Sequence, residues 1–305
     1  MIKVENLIHD YGAFRALNGL SFSVGEGEIF GLVGPNGAGK TTCIDILSTI
    51  LTPTQGDAWV AGHHVINNAI EVKKRVGHMP DFYGLYDEMK VWEFLHFFGL
   101  AYGVASLKER IDETLNIVDL FDKRDAFISS LSRGMRQKLC IARALLHDPK
   151  VIILDEPLSG LDPSARQNAK KLFVGLKSRG KTLLVSSHIL PEMDDICDRF
   201  GVLQKGKMVS CGSPKEIAKM LSGKKTQIVL KSEPDDKVRA ALSQCGVSDV
   251  KQEGNRYHVV LDEDVENKVL HALAQNNAHV FSYNEEPVIE DLYLQLSKEW
   301  EEKPS

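Results

Sequence analysis

Short apolar runs and alternating segments organise the first half of the chain. Mainly apolar runs at residues 28–33, 151–154 and 182–186 predict strands that are buried on both faces, as in a parallel sheet. Alternation of apolar and polar positions at residues 2–7, 20–24 and 56–60 predicts further strands. The pattern therefore predicts an α/β fold in which an antiparallel sheet lies beside a parallel core.

Helical spacing dominates residues 91–147. A helix predicted over 112–120 would place Leu115, Val118 and Ile111 on one face, and a stronger helix over 135–146 would start near Ser132. A further helix would begin at Pro163, because proline suits the first helical position. Residues 200–203 and 207–209 predict a hairpin around a Lys-Gly turn.

The pattern changes after a polar break at residues 222–225. Strands are predicted over 227–231, 246–251, 257–261 and 278–283, helices over 235–244 and 265–274, and a closing amphipathic helix over 288–296. The order strand-helix-strand-strand-helix-strand predicts a small α+β, ferredoxin-like domain. We therefore predict two domains, at residues 1–221, with a helical subdomain at about 84–148, and at residues 225–305.

Composition narrows the classes of function. A net charge of −5 over 305 residues gives no sign of a nucleic-acid binder. The cysteines are scattered without a C-x-x-C pair, which favours reduced thiols. Residues 1–6 have no apolar signal core, and no segment offers the 18 or so uncharged apolar residues that a span requires. A membrane function would need another chain to provide the span.

A glycine-rich stretch at residues 34–42 is the strongest chemical signal. It fits G-x-x-x-x-G-K-[ST] and lies between a predicted strand and a helix. Glycines let backbone N–H groups approach phosphate oxygens, and the helix start adds its positive end. Lys40 can reach the β- and γ-phosphates, and the Thr41 hydroxyl can ligate Mg²⁺. The candidate phosphate-binding residues are Asn36, Gly37, Ala38, Gly39, Lys40, Thr41 and Thr42.

Polar residues at strand and helix ends suggest the rest of a site. Asp155 and Glu156 follow the run at 151–154, where one carboxylate can hold Mg²⁺ and the next can orient or deprotonate water. A buried strand that ends in an acidic turn explains them equally well. Ser132 opens a second possible anion-binding helix start or is an ordinary N-cap. His188 follows the third apolar run, where ligands gather in parallel sheets, although a lone histidine there is more often structural.

In this order the segments resemble the nucleotide-binding subunit of ABC transporters over about residues 2–220. Residues 34–42 match its P-loop, 131–134 its signature, 151–156 its Walker B strand and 159–162 its D-loop. His188 is similar to its switch histidine, and Tyr11 stands where the family has an aromatic that stacks on adenine. The resemblance implies a P-loop NTPase with a RecA-like core.

The resemblance also implies roles and partners. ATP would lie between the P-loop of one subunit and the signature of a second. The two subunits are expected to be copies of one chain paired head to tail. Thr41 and Asp155 would hold Mg²⁺, Glu156 would be the general base, and His188 would hold the γ-phosphate and the water. Ser132 and Gly134 would cap the partner's γ-phosphate, and Asp162 would carry signals across the dimer. The subunit would work at the cytoplasmic face of the membrane on integral permease subunits.

Two motifs depart from the family pattern. Asp81 replaces the usual Gln, which adds charge and shortens the reach, so we expect any contact with Mg²⁺ there to pass through water. The signature contains Arg133 and Met135 in place of Gly and Gln. Both departures, and residues 286–294 at the end of the chain, resemble the subgroup that serves ABC-2 type permeases, mostly exporters.

Aromatic residues follow Asp81. Candidates for the contact with a permease are Phe82, Tyr83, Leu85 and Tyr86, and candidates for the core of the helical subdomain are Trp92, Phe94, Leu95 and Phe98.

The leading hypothesis is an ATPase that energises an exporter. The alternative is a soluble ABC ATPase that acts on ribosomes or DNA; a single ATPase half, no long coiled coil and no basic stripe disfavour it. A regulatory module without turnover is disfavoured by the presence of both Glu156 and His188.

Overall fold

A computed structural model describes residues 1–82, 84–189, 193–217, 225–232, 236–247, 250–262 and 265–286. The chain forms two compact units, Met1–Cys211 and Gly212–Ser305. Residues 222–224 of the predicted polar break lie outside the described residues, and the predicted domain boundary there stays a prediction.

Among its described residues the first unit contains two sheets, six α-helices and two short 3-10 helices, Phe121–Lys123 and Ile128–Ser130. The strands are β1 Ile2–Tyr11, β2 Phe14–Val24, β3 Ile29–Val33, β4 Gln55–Val60, β5 His63–His64, β6 Val76–Met79, β7 Val151–Leu154, β8 Thr182–Ser187, β9 Arg199–Gln204 and β10 Lys207–Gly212. The helices are α1 Lys40–Leu47, α2 Ala69–Lys73, α3 Val91–Ala101, α4 Leu107–Ile117, α5 Arg133–Leu145 and α6 Pro163–Ser178.

The two predicted sheets are present. The antiparallel sheet has the order β2-β1-β4-β5, and the core sheet has the order β10-β9-β3-β8-β7-β6. In the core sheet β3 pairs in parallel with β8 and β9, and β7 pairs in parallel with β6 and β8. The carboxyl ends of these strands therefore meet at one edge, which is where ligands bind in open parallel sheets.

Apolar side chains from both sheets share one core. Leu7 and Leu17 from the antiparallel sheet, Leu32 and Ile153 from the core sheet, and Ile44 from α1 are fully buried in it. Each such side chain contributes roughly 1.5–3 kcal/mol on burial. This core holds β3 and α1 rigidly on either side of the glycine loop.

Strand β6 was not predicted from the sequence. Its four residues include Gly77 and His78, which break the apolar pattern. The glycine is required by packing, because a Cβ at position 77 would lie 2.3 Å from the backbone oxygen of Ala144 in α5. A close approach between a strand and a helix thus leaves a glycine that, in sequence, looks like a strand breaker.

Helices α3, α4 and α5 pack against one another, as expected for a helical subdomain. The helix predicted over 112–120 is shifted, because α4 begins at Leu107 and ends at Ile117. Its predicted apolar face is confirmed: Ile111, Leu115 and Val118 are all buried. The missed first turn carries charged side chains that hide its periodicity.

The second unit has the predicted order of elements. Its strands are β11 Lys225–Ser232, β12 Val250–Glu253, β13 Arg256–Asp262 and β14 Val280–Glu286, and its helices are α7 Asp236–Gln244 and α8 Glu266–Gln275. The sheet order is β12-β13-β11-β14, with all pairs antiparallel, which is the ferredoxin-like arrangement. The predicted helix over 288–296 lies outside the described residues.

The strand predicted over 246–251 starts too early. Gly246 has a φ of 76° and follows α7, so it ends the helix in a left-handed conformation. The amide of Val247 then donates to the carbonyl oxygen of Leu242 at 3.1 Å. These residues therefore close the helix, and the strand begins only at Val250.

In the part of the chain that the structure describes, every helix falls short of the length and apolar character that a membrane span requires.

Candidate active site

The glycine loop joins β3 to α1 at the carboxyl edge of the core sheet. A Cβ at Gly34 would lie 2.2 Å from the carbonyl oxygen of Leu203, so only glycine fits there. Gly39 has a φ of 105° immediately before the first helical residue, Lys40. The loop thus bends closely around the helix start, where unpaired N–H groups and the positive end of the helix attract anions.

Lys40 is almost fully buried in this loop. Its Nζ donates to the carbonyl oxygens of Gly34 at 2.7 Å and Pro35 at 3.2 Å. It also forms an ion pair with Glu156, with 3.2 Å between Nζ and Oε1. The positive charge is therefore balanced by a carboxylate, which an incoming phosphate would have to replace.

Oxygen atoms suited to Mg²⁺ meet beside Lys40. The Thr41 hydroxyl donates to Oδ2 of Asp155 at 2.8 Å, and the Ser186 hydroxyl donates to Oδ1 of the same carboxylate at 2.5 Å. Asp155 is 1% exposed. A hydroxyl and a buried carboxylate form a ligand pair of the kind that Mg²⁺ uses together with phosphate oxygens and water. Among the described residues no group of three or more His, Cys, Asp or Glu has a metal-binding arrangement.

Ser186 was not singled out from the sequence. Besides Asp155, it contacts Glu156, whose backbone amide donates to the serine Oγ at 2.8 Å. One buried hydroxyl on β8 therefore fixes both consecutive acidic residues at the end of β7. A small hydroxyl residue at the end of an apolar run was the only sequence signal available.

Glu156 lies between two functional side chains. Its Oε1 faces Lys40, and its Oε2 lies 2.8 Å from Nδ1 of His188. The residue has a φ of 48°, a left-handed conformation that a non-glycine residue adopts at a cost of roughly 1–3 kcal/mol. The structure thus brings together Lys40, Thr41, Asp155, Glu156 and His188, all predicted from sequence.

Asp81 follows β6 at the same edge of the core sheet. The preceding strand is tied to the acidic pair, because the Asp155 amide donates to the carbonyl oxygen of Met79 at 2.9 Å. Partial burial raises the pKa of the Asp81 carboxyl, as do the negative charges of Asp155 and Glu156. Asp81 lies close enough to the acidic pair for these charges to act on it, and its side chain remains open to water.

The signature residues lie at the start of α5. Ser132 is exposed, and its hydroxyl accepts from the amide of Met135 at 3.3 Å, as an N-cap does. Gly134 packs towards α6, where a Cβ would lie 3.4 Å from Cβ of Ala165. Asp162 caps α6 by accepting from the Ala165 amide at 2.9 Å. Among the described residues, no hydrogen bond joins Ser132 to the glycine loop of the same chain.

The predicted aromatic contacts lie at the surface. Tyr11 is 49% exposed at the end of β1, with its ring edge-to-face on His9 at 4.6 Å between centroids. Phe82 is 93% exposed and Tyr86 is 55% exposed. Leu85 is half-buried, and Tyr83 lies outside the described residues.

The candidates for the core of the helical subdomain differ in how deeply they are buried. Phe94 and Leu95 are fully buried, as predicted. Trp92 and Phe98 are only half-buried.

Comparison with known proteins identifies the family. The family model described as ABC transporter matches residues 17–159. The Nod factor export ATP-binding protein I of Ralstonia nicotianae is 38% identical over 219 residues, which cover 71% of this chain and 68% of that protein. The linearmycin resistance ATP-binding protein LnrL of Bacillus subtilis is 31% identical over 97% of this chain and 98% of its own length.

Solved structures share the fold. The structure of an ATP-binding subunit of an ABC transporter has a TM-score of 0.65 and 30% identity, and covers 72% of this chain and 92% of its own. The structure of a dimeric bacterial ABC transporter cassette has a TM-score of 0.64 and 25% identity. The match covers 70% of this chain and 98% of that cassette. The glycine loop, the acidic pair and these relatives agree, and the chain therefore belongs to the ABC transporter family, as a subunit that binds and hydrolyses ATP.

Proposed function

We propose that two copies of this chain pair head to tail around ATP and energise an ABC-2 type permease that exports its cargo. The observation that carries the proposal is an incomplete site. Lys40, Thr41, Asp155, Glu156 and His188 converge at one edge of the core sheet. Ser132 is exposed, and within the described part of the chain its hydroxyl bonds only to its own helix. A second subunit would supply the missing anion-binding helix start to each site.

The side chains divide the work of hydrolysis. Mg²⁺ would draw charge from the phosphate oxygens when it is held by Thr41 and Asp155. Lys40 exchanges Glu156 for phosphate oxygens, which frees that carboxylate to accept a proton from water. His188, hydrogen-bonded to Glu156, lies where it can orient the water and the γ-phosphate. Tyr11, at the exposed end of β1, is the proposed stacking surface for adenine.

Nucleotide-dependent dimerisation of paired variants tests the head-to-tail arrangement. In a Glu156→Gln background, Lys40→Ala removes one half of the site and Ser132→Ala the other, so each variant alone is expected to stay monomeric with ATP. In a mixed dimer, the glycine loop of the Ser132→Ala subunit meets the signature of the Lys40→Ala subunit, which makes one complete site. The mixture is therefore expected to dimerise in size-exclusion chromatography. Mixed samples that remain monomeric, beside a Glu156→Gln control that dimerises, would contradict the arrangement.

The export role is supported by the names of two relatives, which are proteins of Nod factor export and linearmycin resistance. The reported relatives are transporter components, which disfavours the alternative of a soluble ABC ATPase for ribosomes or DNA. We propose that the chain lies at the cytoplasmic face of the membrane and contacts the permease through the surface at Phe82, Leu85 and Tyr86.

Co-expression with an ABC-2 type permease from the same genome tests the membrane role. The expected result is co-purification from detergent-solubilised membranes that weakens with Phe82→Ser and persists with Phe14→Ser, another exposed phenylalanine of this unit. Recovery of this chain with ribosomes or DNA, and never with the membrane fraction, would favour the soluble alternative.

A further inference from the structure

The departure from the family signature at Arg133 has a defined contact. Arg133 is the first residue of α5, directly after Ser132. Its terminal nitrogen donates to the carbonyl oxygen of Ser159 in the D-loop at 3.0 Å. A Cβ at the next residue, Gly160, would lie 2.2 Å from the guanidinium carbon and 2.2–2.3 Å from its two terminal nitrogens. The guanidinium therefore covers the Gly160 backbone, and only glycine leaves room for it.

A short path of hydrogen bonds continues from this contact to the backbone of Glu156. The amide of Ser159 donates to the carbonyl oxygen of Glu156 at 3.1 Å. Arg133 is therefore two hydrogen bonds away from the backbone of Glu156. That backbone is held in a left-handed conformation, so its geometry depends on the contacts around it.

The remaining contacts make the two segments one unit. Gly134 packs against Ala165 at the start of α6, and Asp162 caps that helix. The signature and the D-loop of one subunit are thus joined by packing and by the Arg133 side chain. A displacement of the start of α5 would carry the D-loop with it.

We propose that Arg133 is a positioning residue that connects the signature of each subunit to the catalytic Glu156 of the same subunit. This inference rests on the proposed head-to-tail dimer, in which Ser132 of that signature contacts the ATP held by the partner. Binding at one ATP site then adjusts the general base at the other. The signature therefore serves both sites, one through Ser132 and one through Arg133.

Kinetics of Arg133 variants test the connection. Because Arg133 contacts the D-loop and leaves the glycine loop untouched, Arg133→Ala is expected to lower kcat about fivefold, the size expected from the loss of one solvent-exposed hydrogen bond. The KM for ATP should stay within about twofold. Arg133→Lys keeps a donor for Ser159 and should recover most of kcat. The matched control is Lys138→Ala, which removes a cation paired with Asp119 from the same helix and should leave kcat unchanged.

A double-mutant cycle with Gly160→Ala separates this role from general destabilisation. In the wild-type background the new methyl group displaces the Arg133 guanidinium, so kcat should fall at least as far as in Arg133→Ala. In the Arg133→Ala background the clash is gone and only the strain of a φ of 66° remains. The kcat of the double variant should therefore be close to that of Arg133→Ala alone. The unfolding temperature of each protein shows whether a loss of kcat comes from a loss of stability. Additive losses, or an Arg133→Ala enzyme as active as the Lys138→Ala control, would overturn the proposal.

Dimerisation distinguishes this inference from the proposed function. With Glu156→Gln in the background, Arg133→Ala should still dimerise with ATP, because Ser132 and the glycine loop are intact. A Glu156→Gln protein that never dimerises would refute the head-to-tail dimer. An Arg133→Ala protein that dimerises normally and hydrolyses normally would refute only the role of Arg133.

Discussion

Replacement of Glu156 by Gln tests the central assignment of the site. The change keeps the size of the side chain and removes its charge. In the structure the carboxylate lies between Lys40 and His188, 3.2 Å and 2.8 Å away, with a side chain that is 14% exposed. The backbone amide is held separately by Ser186, so the substitution should leave the main chain in place.

The expected magnitudes follow from these contacts. Loss of a general base typically lowers kcat by about 10²–10⁴, or about 2.7–5.5 kcal/mol of transition-state stabilisation. The ion pair with Lys40 has a gross attraction of about 5 kcal/mol at 3.2 Å and an effective dielectric constant of about 20. Most of this attraction is offset by the desolvation of both groups. Since ATP must displace Glu156 from Lys40, we expect the Gln variant to bind ATP about tenfold more tightly, which corresponds to about 1.4 kcal/mol.

Two measurements check this prediction. Phosphate release gives kcat, and calorimetric titration with ATP in the absence of Mg²⁺ gives the affinity without turnover. Size-exclusion chromatography with ATP and Mg²⁺ should show a trapped dimer. A Gln variant that keeps more than about one-tenth of kcat would refute Glu156 as the general base, and one that binds ATP no more tightly would refute the competition for Lys40.

Three further predictions concern the surroundings of the site. Ser186→Ala removes hydrogen bonds to both acidic residues and should lower kcat about tenfold in a phosphate-release assay, with Ser186→Thr as the variant that keeps the hydroxyl. Asp81→Gln should keep basal ATPase within about threefold of wild type; a loss as large as that of Lys40→Ala would make Asp81 a direct Mg²⁺ ligand. Burial lowers the pKa of His78 from 6.5 to about 4. Between these two pH values the unfolded chain binds a proton at this histidine and the folded chain does not. The free energy of unfolding should therefore fall as pH decreases from about 6.5 to about 4. In denaturant titrations, His78→Gln should reduce this pH-dependent change in the free energy of unfolding by up to about 3 kcal/mol. The control His96→Gln, at an exposed histidine, should leave the change as it is in the wild type.

The sequence was most informative where local pattern and tertiary environment agree. Strand β7 was predicted to the residue at Val151–Leu154, because a run buried on both faces must be apolar throughout and the carboxylates mark its end. Helix α6 begins at the predicted Pro163. Both elements owe their bounds to residues inside or directly beside them.

The missed features depend on contacts between distant segments. Gly77 belongs to a strand because a helix lies against it, and no local pattern reports that helix. Ser186 is thirty and more positions from the acidic residues that it fixes. The contact of Arg133 with Ser159 likewise joins positions 26 residues apart. Local pattern could identify the charged groups of the site, but the groups that hold them became visible only with the fold.

Arg133 offsets part of the negative charge that Asp81 adds to the site. Asp81 adds a negative charge near Asp155 and Glu156, whose charges raise its pKa together with partial burial. Arg133 adds a positive charge close enough to lower that same pKa. The family pattern has neutral residues, Gln and Gly, at these positions, so the two departures together leave the formal charge at this edge unchanged. The guanidinium that joins the signature to the D-loop therefore also offsets part of the charge of the carboxylate that replaces the usual glutamine, which gives one physical reason for both departures to occur in the same chain.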